Sequence, residues 1–295
     1  MKAGVIGLGA MGAGMAANLA RAGLLAAVWN RTYQKAVDFA GQHGVAAAAD
    51  APTVAAQCDV VITCVSADAD VLEVVDAMLP ELGEGKVVVD TSTVSADTAR
   101  EAARRVAATG AQFLDAPVSG GKEGAENATM VMMVGGDEST LERARPVLSA
   151  ISRSATYMGP SGAGQVTKAV NQIMVAGINQ GVTEALAFGQ AQGLDMDKVI
   201  EVLSGGAAGS WFLQHRGPTM VRGVYEPGFK MALHRKDLEI CRAMLENMGV
   251  ALPIVEMTLK QYQPLIENGH GDDDISGLYR RKRAMFENGG NKKGL

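Results

Sequence analysis

The sequence predicts an α/β chain, with a doubly wound, mainly parallel sheet first and an all-α domain opened by a long helix second. Three observations carry that expectation. The first 30 residues read strand, glycine turn, helix, strand; apolar strands alternate with helical stretches as far as Ile151; and after Gly193 every periodic stretch is helical. A length of 295 residues leaves room for about two domains, here drawn at 1–161 and 162–295. With 47% hydrophobic and 20% charged residues, the chain is globular and buries a sizeable core.

The opening stretch runs from a strand at Lys2–Ile6 through Gly7-Leu8-Gly9-Ala10-Met11-Gly12 to a helix at Ala13–Ala22 and a strand at Leu25–Trp29. GxGxxG between a strand and a helix is the dinucleotide turn of a Rossmann domain. Gly7 makes the tight turn, Gly9 lets a pyrophosphate approach, Gly12 packs helix on strand, and the phosphates sit at the helix N-terminus. The apolar start with Lys2 also resembles a signal peptide, but the glycines are better explained by this turn. All six turn residues, Leu8, Ala10 and Met11 included, are candidate cofactor contacts. At the end of the second strand, where an acid would hold the ribose of NAD, stands Asn30-Arg31-Thr32. A guanidinium with no carboxylate suits a 2′-phosphate, so NADP(H) is expected over NAD(H).

Strands follow at Asp59–Cys64, Lys86–Asp90, Ala111–Leu114 and Thr129–Val134, with helices at Asp70–Met78, Ala96–Ala108 and Glu138–Ile151. Ligands in such sheets sit beyond the carboxyl ends of the strands. That makes Val65-Ser66, Asp90-Thr91-Ser92-Thr93 and Asp115-Ala116-Pro117-Val118-Ser119-Gly120-Gly121 the candidate segments. Ser119-Gly120-Gly121 offers a hydroxyl and unencumbered backbone N–H groups, a cradle for a small carboxylate. Lys122 beside it reads as a solvated loop lysine.

The helix opened by Gly162-Ala163-Gly164-Gln165-Val166-Thr167-Lys168 has Lys168 and Glu184 as the only charged residues between Ser154 and Leu194, so burial nearly all round is expected. Val166, Ala169, Val170, Ile173 and Met174 form an apolar stripe. Lys168, Asn171, Gln172 and Val175 share the next face, so one amine and two amides meet. Burial pushes a lysine pKa down, toward the range that suits general acid catalysis. Further helices are expected at Asp197–Leu203, Lys236–Met248, Pro253–Asn268 and Ile275–Glu287, and Asn288–Leu295 reads as an unordered polar tail.

A net charge of −5 and 4% aromatic residues argue against nucleic acid as the partner. The four histidines lack metal-ligand spacing, so no metal is expected. Cys58, Cys64 and Cys241 form no CxxC pair, which suits a reducing cytoplasm, and no apolar run is long enough for a membrane span.

Four ordered stretches, GLGxMG at 7–12, Asp115–Gly121, Gly162–Lys168 and Lys236-Asp237-Leu238, resemble the motifs of the β-hydroxyacid dehydrogenases related to 3-hydroxyisobutyrate dehydrogenase. Gly205–Ser210 and Pro227–Leu238 most resemble the tartronate semialdehyde (2-hydroxy-3-oxopropionate) reductase branch, with glyoxylate and succinic semialdehyde reductases close to it. The resemblance implies Lys168 as catalytic residue, Ser119, Gly120 and Gly121 as the carboxylate cradle, and Asn171 or Gln172 as polar partners of the substrate. It also places Thr93 and Lys236 at the nicotinamide, adds Val65, Ser66 and Phe229 to the cofactor set, and implies a dimer or tetramer through the long helix. The expected reaction is the reversible NADPH-dependent reduction of a small 3-oxo acid.

Val65-Ser66 replaces the Leu-Pro of many members, and Lys122 and Arg235 are more basic than the residues expected beside Gly121 and Lys236, extra positive charge that would suit a doubly negative phosphonate or sulfonate oxo acid. A decarboxylating 6-phosphogluconate-type enzyme is longer in its helical part. A non-catalytic dinucleotide sensor has no need of Lys168.

Overall fold

The computed structural model describes residues 1–287, so the expectation for Asn288–Leu295 lies outside the described residues. The chain divides into two compact units, Met1–Lys168 and Ala169–Leu295. Each has cores of its own.

In the first unit the strands are β1 (Ala3–Ile6), β2 (Leu25–Trp29), β3 (Ala46–Ala47), β4 (Val60–Thr63), β5 (Val87–Asp90), β6 (Gln112–Asp115), β7 (Val118–Ser119), β8 (Met130–Gly135) and β9 (Ser152–Gly159). The first six run parallel in the order β3-β2-β1-β4-β5-β6. Beyond them β8 lies antiparallel to β6 and β7 and parallel to β9. Successive side chains of β1, β4 and β5 enter opposite cores: Val5, Ile62, Val87 and Val89 one, Ile6, Val61 and Val88 the other. A strand buried on both faces is a continuous apolar run, as in parallel sheets covered by helices. The order reverses between β1 and β4, and the carboxyl ends there open a crevice.

The covering helices are α1 (Ala10–Arg21), α2 (Tyr33–His43), α3 (Ala51–Gln57), α4 (Asp68–Met78), α5 (Ala96–Ala107), α6 (Gly121–Glu126) and α7 (Glu138–Leu148). Helix α8 (Ala163–Ala191) runs on into the second unit, which holds α9 (Met196–Ser204), α10 (Trp211–Val221), α11 (Met231–Glu246), α12 (Pro253–Leu265) and α13 (Leu278–Glu287). Inside that unit Asn179 donates to Tyr262 Oη and to the Ile275 carbonyl, both at 2.9 Å, which ties α8 to α12 and the turn before α13. No helix among the described residues is long and apolar enough to cross a membrane.

The structure departs from expectation in three ways. Helix α8 is not buried all round: Val166, Val170, Met174 and Ile178, one row of i, i+4 positions, are 39%, 55%, 62% and 36% exposed. Apolar sequence records that a face needs cover without saying that its own chain supplies it. Helix α11 starts at Met231, five residues before Lys236, and α1 at Ala10 rather than Ala13. Finally, α2, α3, α6, α10, β3, β7 and β9 arise where the sequence reading has no element.

Candidate active site

The three glycines of the opening turn answer different demands. Gly7 has φ +96°. A Cβ at Gly12 would stand 1.9 Å from the Gly7 carbonyl oxygen, so only glycine lets α1 come this close to the turn. A Cβ at Gly9 would meet nothing within 4 Å, so no protein contact requires a glycine there. Gly9 caps α1, whose first turn carries no acidic residue and no side-chain cap. The open amides and the space above Gly9 fit a diphosphate.

Beside the turn, Asn30 is a brace: its Oδ1 accepts from Leu8 N–H at 2.9 Å and its Nδ2 donates to the Thr32 carbonyl at 3.0 Å. Arg31, 77% exposed, reaches Asp70 Oδ1 of α4 at 2.9 Å, and Thr32 is exposed. Val65 N–H donates to Ser92 Oγ at 2.9 Å, joining the segments that leave β4 and β5, while Ser66 is exposed and Thr93 half-buried.

Thr63, Asp90 and Asp115 stand in register at the carboxyl ends of β4, β5 and β6. Both carboxylates are fully buried. Asp90 Oδ1 accepts from Thr63 Oγ1 at 2.7 Å, Ser92 Oγ at 2.6 Å and Ser92 N–H at 3.2 Å, while Oδ2 has no hydrogen-bond partner. Burial pushes the Asp90 carboxyl up to about 6, the hydrogen bonds from Ser92 and Thr63 oppose it, and Asp115 adds a like charge. Asp115 accepts instead from main-chain amides at the start of α8, Gly162 N–H at 2.8 Å and Gln165 N–H at 3.0 Å. Burial raises its carboxyl too, against these donors.

Two more contacts fix this end of α8. Gln165 donates to the Ser92 carbonyl at 2.8 Å and accepts from Val94 N–H at 3.2 Å, bracketing Thr93. Lys168, 6% exposed, donates from Nζ to the Val118 carbonyl at 2.8 Å. The next residue is Ser119, and Gly120 and Gly121 follow with φ +136° and +63°, a pair of left-handed positions that selects glycine twice. Helix α6, which begins at Gly121, packs on α1, where Asn18 donates to the Ala125 carbonyl at 2.7 Å. Lys122 points elsewhere, 3.6 Å from Glu126 on an exposed face.

In the second unit Gln172 is buried and Asn171 half-buried. Asn171 Nδ2 donates to Gln172 Oε1 and Gln172 Nε2 to Asp237 Oδ2, each at 2.7 Å. Asp237 also takes Lys236 Nζ at 3.1 Å. His234, fully buried, lies 3.0 Å from Tyr262 Oη, and the Phe229 ring is tilted against it at 5.5 Å. Arg235 faces Glu239 at 3.9 Å. Lys168, Asn171 and Gln172, three and four positions apart on α8, follow one helix face.

Sequence reasoning set Asp90 and Asp115 in candidate ligand segments and Gln165 and Asp237 in motif stretches, but gave none of the four a role of its own. The signal for the first two was present: each is a carboxylate ending an otherwise apolar strand, Val-Val-Val-Asp and Phe-Leu-Asp.

Residues 2–159 match the family model of the NAD-binding domain of 6-phosphogluconate dehydrogenase, and 162–281 that of the NAD-binding region of NADP-dependent 3-hydroxyisobutyrate dehydrogenase. An uncharacterised oxidoreductase of Shewanella frigidimarina is 44% identical, over 95% of this chain and 97% of its own. The 2-hydroxy-3-oxopropionate reductase of Escherichia coli is 36% identical, over 97% and 98%. The solved structure of Mycobacterium tuberculosis 3-hydroxyisobutyrate dehydrogenase with L-serine superposes with a TM-score of 0.87 at 33% identity, covering 96% of this chain and 99% of that one.

Proposed function

The chain belongs to the 3-hydroxyisobutyrate dehydrogenase family of NAD(P)-dependent oxidoreductases acting on CH–OH groups, and from that premise we propose that it reduces a small 3-oxo acid, a semialdehyde such as tartronate semialdehyde, to the hydroxy acid with NADPH. The observation that carries this reading is the buried Lys168 amine, 2.8 Å from the carbonyl of Val118, the residue before the Ser119–Gly121 cradle. The 2-hydroxy-3-oxopropionate reductase among the relatives supports the choice of acid.

In this reading the Ser119 hydroxyl and the N–H groups of Gly120 and Gly121 hold the substrate carboxylate. The Lys168 ammonium gives its proton to the carbonyl oxygen as negative charge develops there, and in the reverse direction the amine takes the hydroxyl proton. Asn171, with Nδ2 already spent on Gln172, offers its Oδ1 to the substrate hydroxyl. Asp237 fixes the Gln172 amide and Lys236. Gly9 and the α1 amides would hold the diphosphate of the dinucleotide, and Arg31 would take its 2′-phosphate in place of Asp70. Bound there, the reduced nicotinamide supplies the hydride. Val65, Ser66 and Thr93 complete the cofactor set of the first unit, and the exposed row on α8 supports a homo-oligomer formed through this helix.

The test is reduced-nicotinamide oxidation by the purified protein with each semialdehyde in turn. Turnover with tartronate semialdehyde and NADPH above that with glyoxylate, succinic semialdehyde or methylmalonate semialdehyde is expected. Turnover with a phosphonate or sulfonate oxo acid alone would reassign the substrate, and tight dinucleotide binding with no turnover at all would leave a sensor.

A further inference from the structure

We propose that Asp115 is a positioning residue for proton transfer at Lys168: by gripping the N-terminal amides of α8 it sets where the Lys168 amine stands along the strand that leads into Ser119–Gly121. The proposal rests on the reading of Lys168 as the general acid.

The geometry is a closed ring. Asp115 ends β6 and accepts from Gly162 and Gln165 N–H at 2.8 and 3.0 Å, with Gly164 N–H as a further donor. One turn on, Lys168 extends its side chain back toward the helix N-terminus, as helical side chains do, and donates to the Val118 carbonyl at 2.8 Å. Val118 lies only three residues beyond Asp115, and the link between them is stiff. Pro117 fixes its own φ and restricts Ala116. The Ala116 N–H is bonded to the Asp90 carbonyl at 2.7 Å and the Pro117 carbonyl to Met133 N–H at 3.1 Å. A displacement of the helix start therefore reaches the amine through the buried lysine stem, the flexible link in an otherwise stiff ring.

Two glycines are shaped around this carboxylate. A Cβ at Gly135 would fall 2.5 Å from Asp115 Oδ1, and one at Gly164 would fall 2.8 Å from Oδ2 and 2.6 Å from the Asp115 carbonyl oxygen. Neither position has a positive φ, so close approach to Asp115 and its neighbours, not a turn, is what demands glycine. The helix needs an acceptor at these amides, and a carboxylate is the acceptor that also suits the positive end of its dipole.

The experiment is a double-mutant cycle of Asp115→Asn and Lys168→Ala, read as kcat with NADPH and the preferred semialdehyde, with NADPH affinity followed by nucleotide fluorescence. Asparagine keeps the shape but turns an N–H donor toward amides that are themselves donors. Asp115→Asn alone is expected to lower kcat by about 10²-fold, the cost of misplacing a catalytic group by roughly 1 Å, and to leave NADPH affinity nearly unchanged. In the Lys168→Ala background the same change should cost little, since the group it positions is gone. An equal loss in both backgrounds, or unchanged kcat in the single variant, overturns the proposal. Should Asp115→Asn not fold, as judged by circular dichroism, Asp115→Ser, which retains one acceptor in a smaller side chain, takes its place in the same cycle. Full turnover by Lys168→Ala alone would overturn the reading of Lys168 itself, and that is seen before the cycle is assembled.

Discussion

Lys168 Nζ donates to the main-chain oxygen of Val118 at 2.8 Å, so the one cation on the N-terminal half of α8 is held at the strand that opens the glycine cradle. Removing the amine removes the proposed proton donor and leaves the glycine turn untouched. Lys168→Ala is therefore expected to lower kcat by about 10²–10⁴-fold, with the NADPH dissociation constant little changed. Steady-state rates and a nucleotide titration on one preparation check this, and near-normal turnover would take Lys168 out of the mechanism.

Gly9 and Gly12 are glycines for different reasons, and the same substitution separates them. At Gly9 a methyl group meets nothing within 4 Å, so Gly9→Ala should melt within about 0.5 kcal/mol of the parent and bind NADPH poorly. At Gly12 the methyl would stand 1.9 Å from the Gly7 oxygen. Gly12→Ala should lose at least about 1–3 kcal/mol of stability. Equal thermal losses in the two variants would contradict this division.

Arg31 is paired with Asp70 across an exposed contact, and exposed ion pairs contribute little. Exchanging that partner for a 2′-phosphate is therefore cheap, and charge-assisted hydrogen bonds to the phosphate contribute about 1.5–3 kcal/mol. Arg31→Ala should raise the KM for NADPH by roughly 10–100-fold and move that for NADH far less. Parallel changes with both nucleotides would remove Arg31 from the discrimination.

The sheet and the cofactor turn were legible because each rests on a local rule: β-rich runs such as Val60–Thr63, the spacing of Gly7, Gly9 and Gly12, and a charge-poor stretch after Gly162. Strand β9 was not, because Ser152–Gly159 lies at the margin of the sheet with most side chains partly or fully exposed, and shows no apolar alternation. Helix α2 carried a readable pattern, Ala36, Phe39 and Ala40 with a left-handed Gly44 behind it, but that buried stripe is only three residues wide. The interest of Lys168 was visible from its neighbours. Its acceptor was not, because a main-chain oxygen 50 residues away leaves no side-chain signature.

Asp90 makes stability depend on pH. Its carboxyl is pushed up to about 6 by burial, against an ordinary value of 3.8. A raised pKa in the folded state means that the protonated form stabilises the fold: the contribution is complete below the unfolded value and is lost as pH rises through about 6. The difference corresponds to roughly 3 kcal/mol. Denaturant midpoints of the parent should fall across that window, and Asp90→Asn, uncharged throughout, should flatten the fall. Identical pH profiles for the two proteins would show that Asp90 is not the titrating group.

The most direct measurement is the oxidation of NADPH and of NADH by the purified protein against tartronate semialdehyde, glyoxylate, succinic semialdehyde, methylmalonate semialdehyde and an oxoalkyl phosphonate. The account predicts the highest kcat/KM for NADPH with tartronate semialdehyde, and its loss in Lys168→Ala. Turnover that prefers NADH, or that survives in Lys168→Ala, would contradict it.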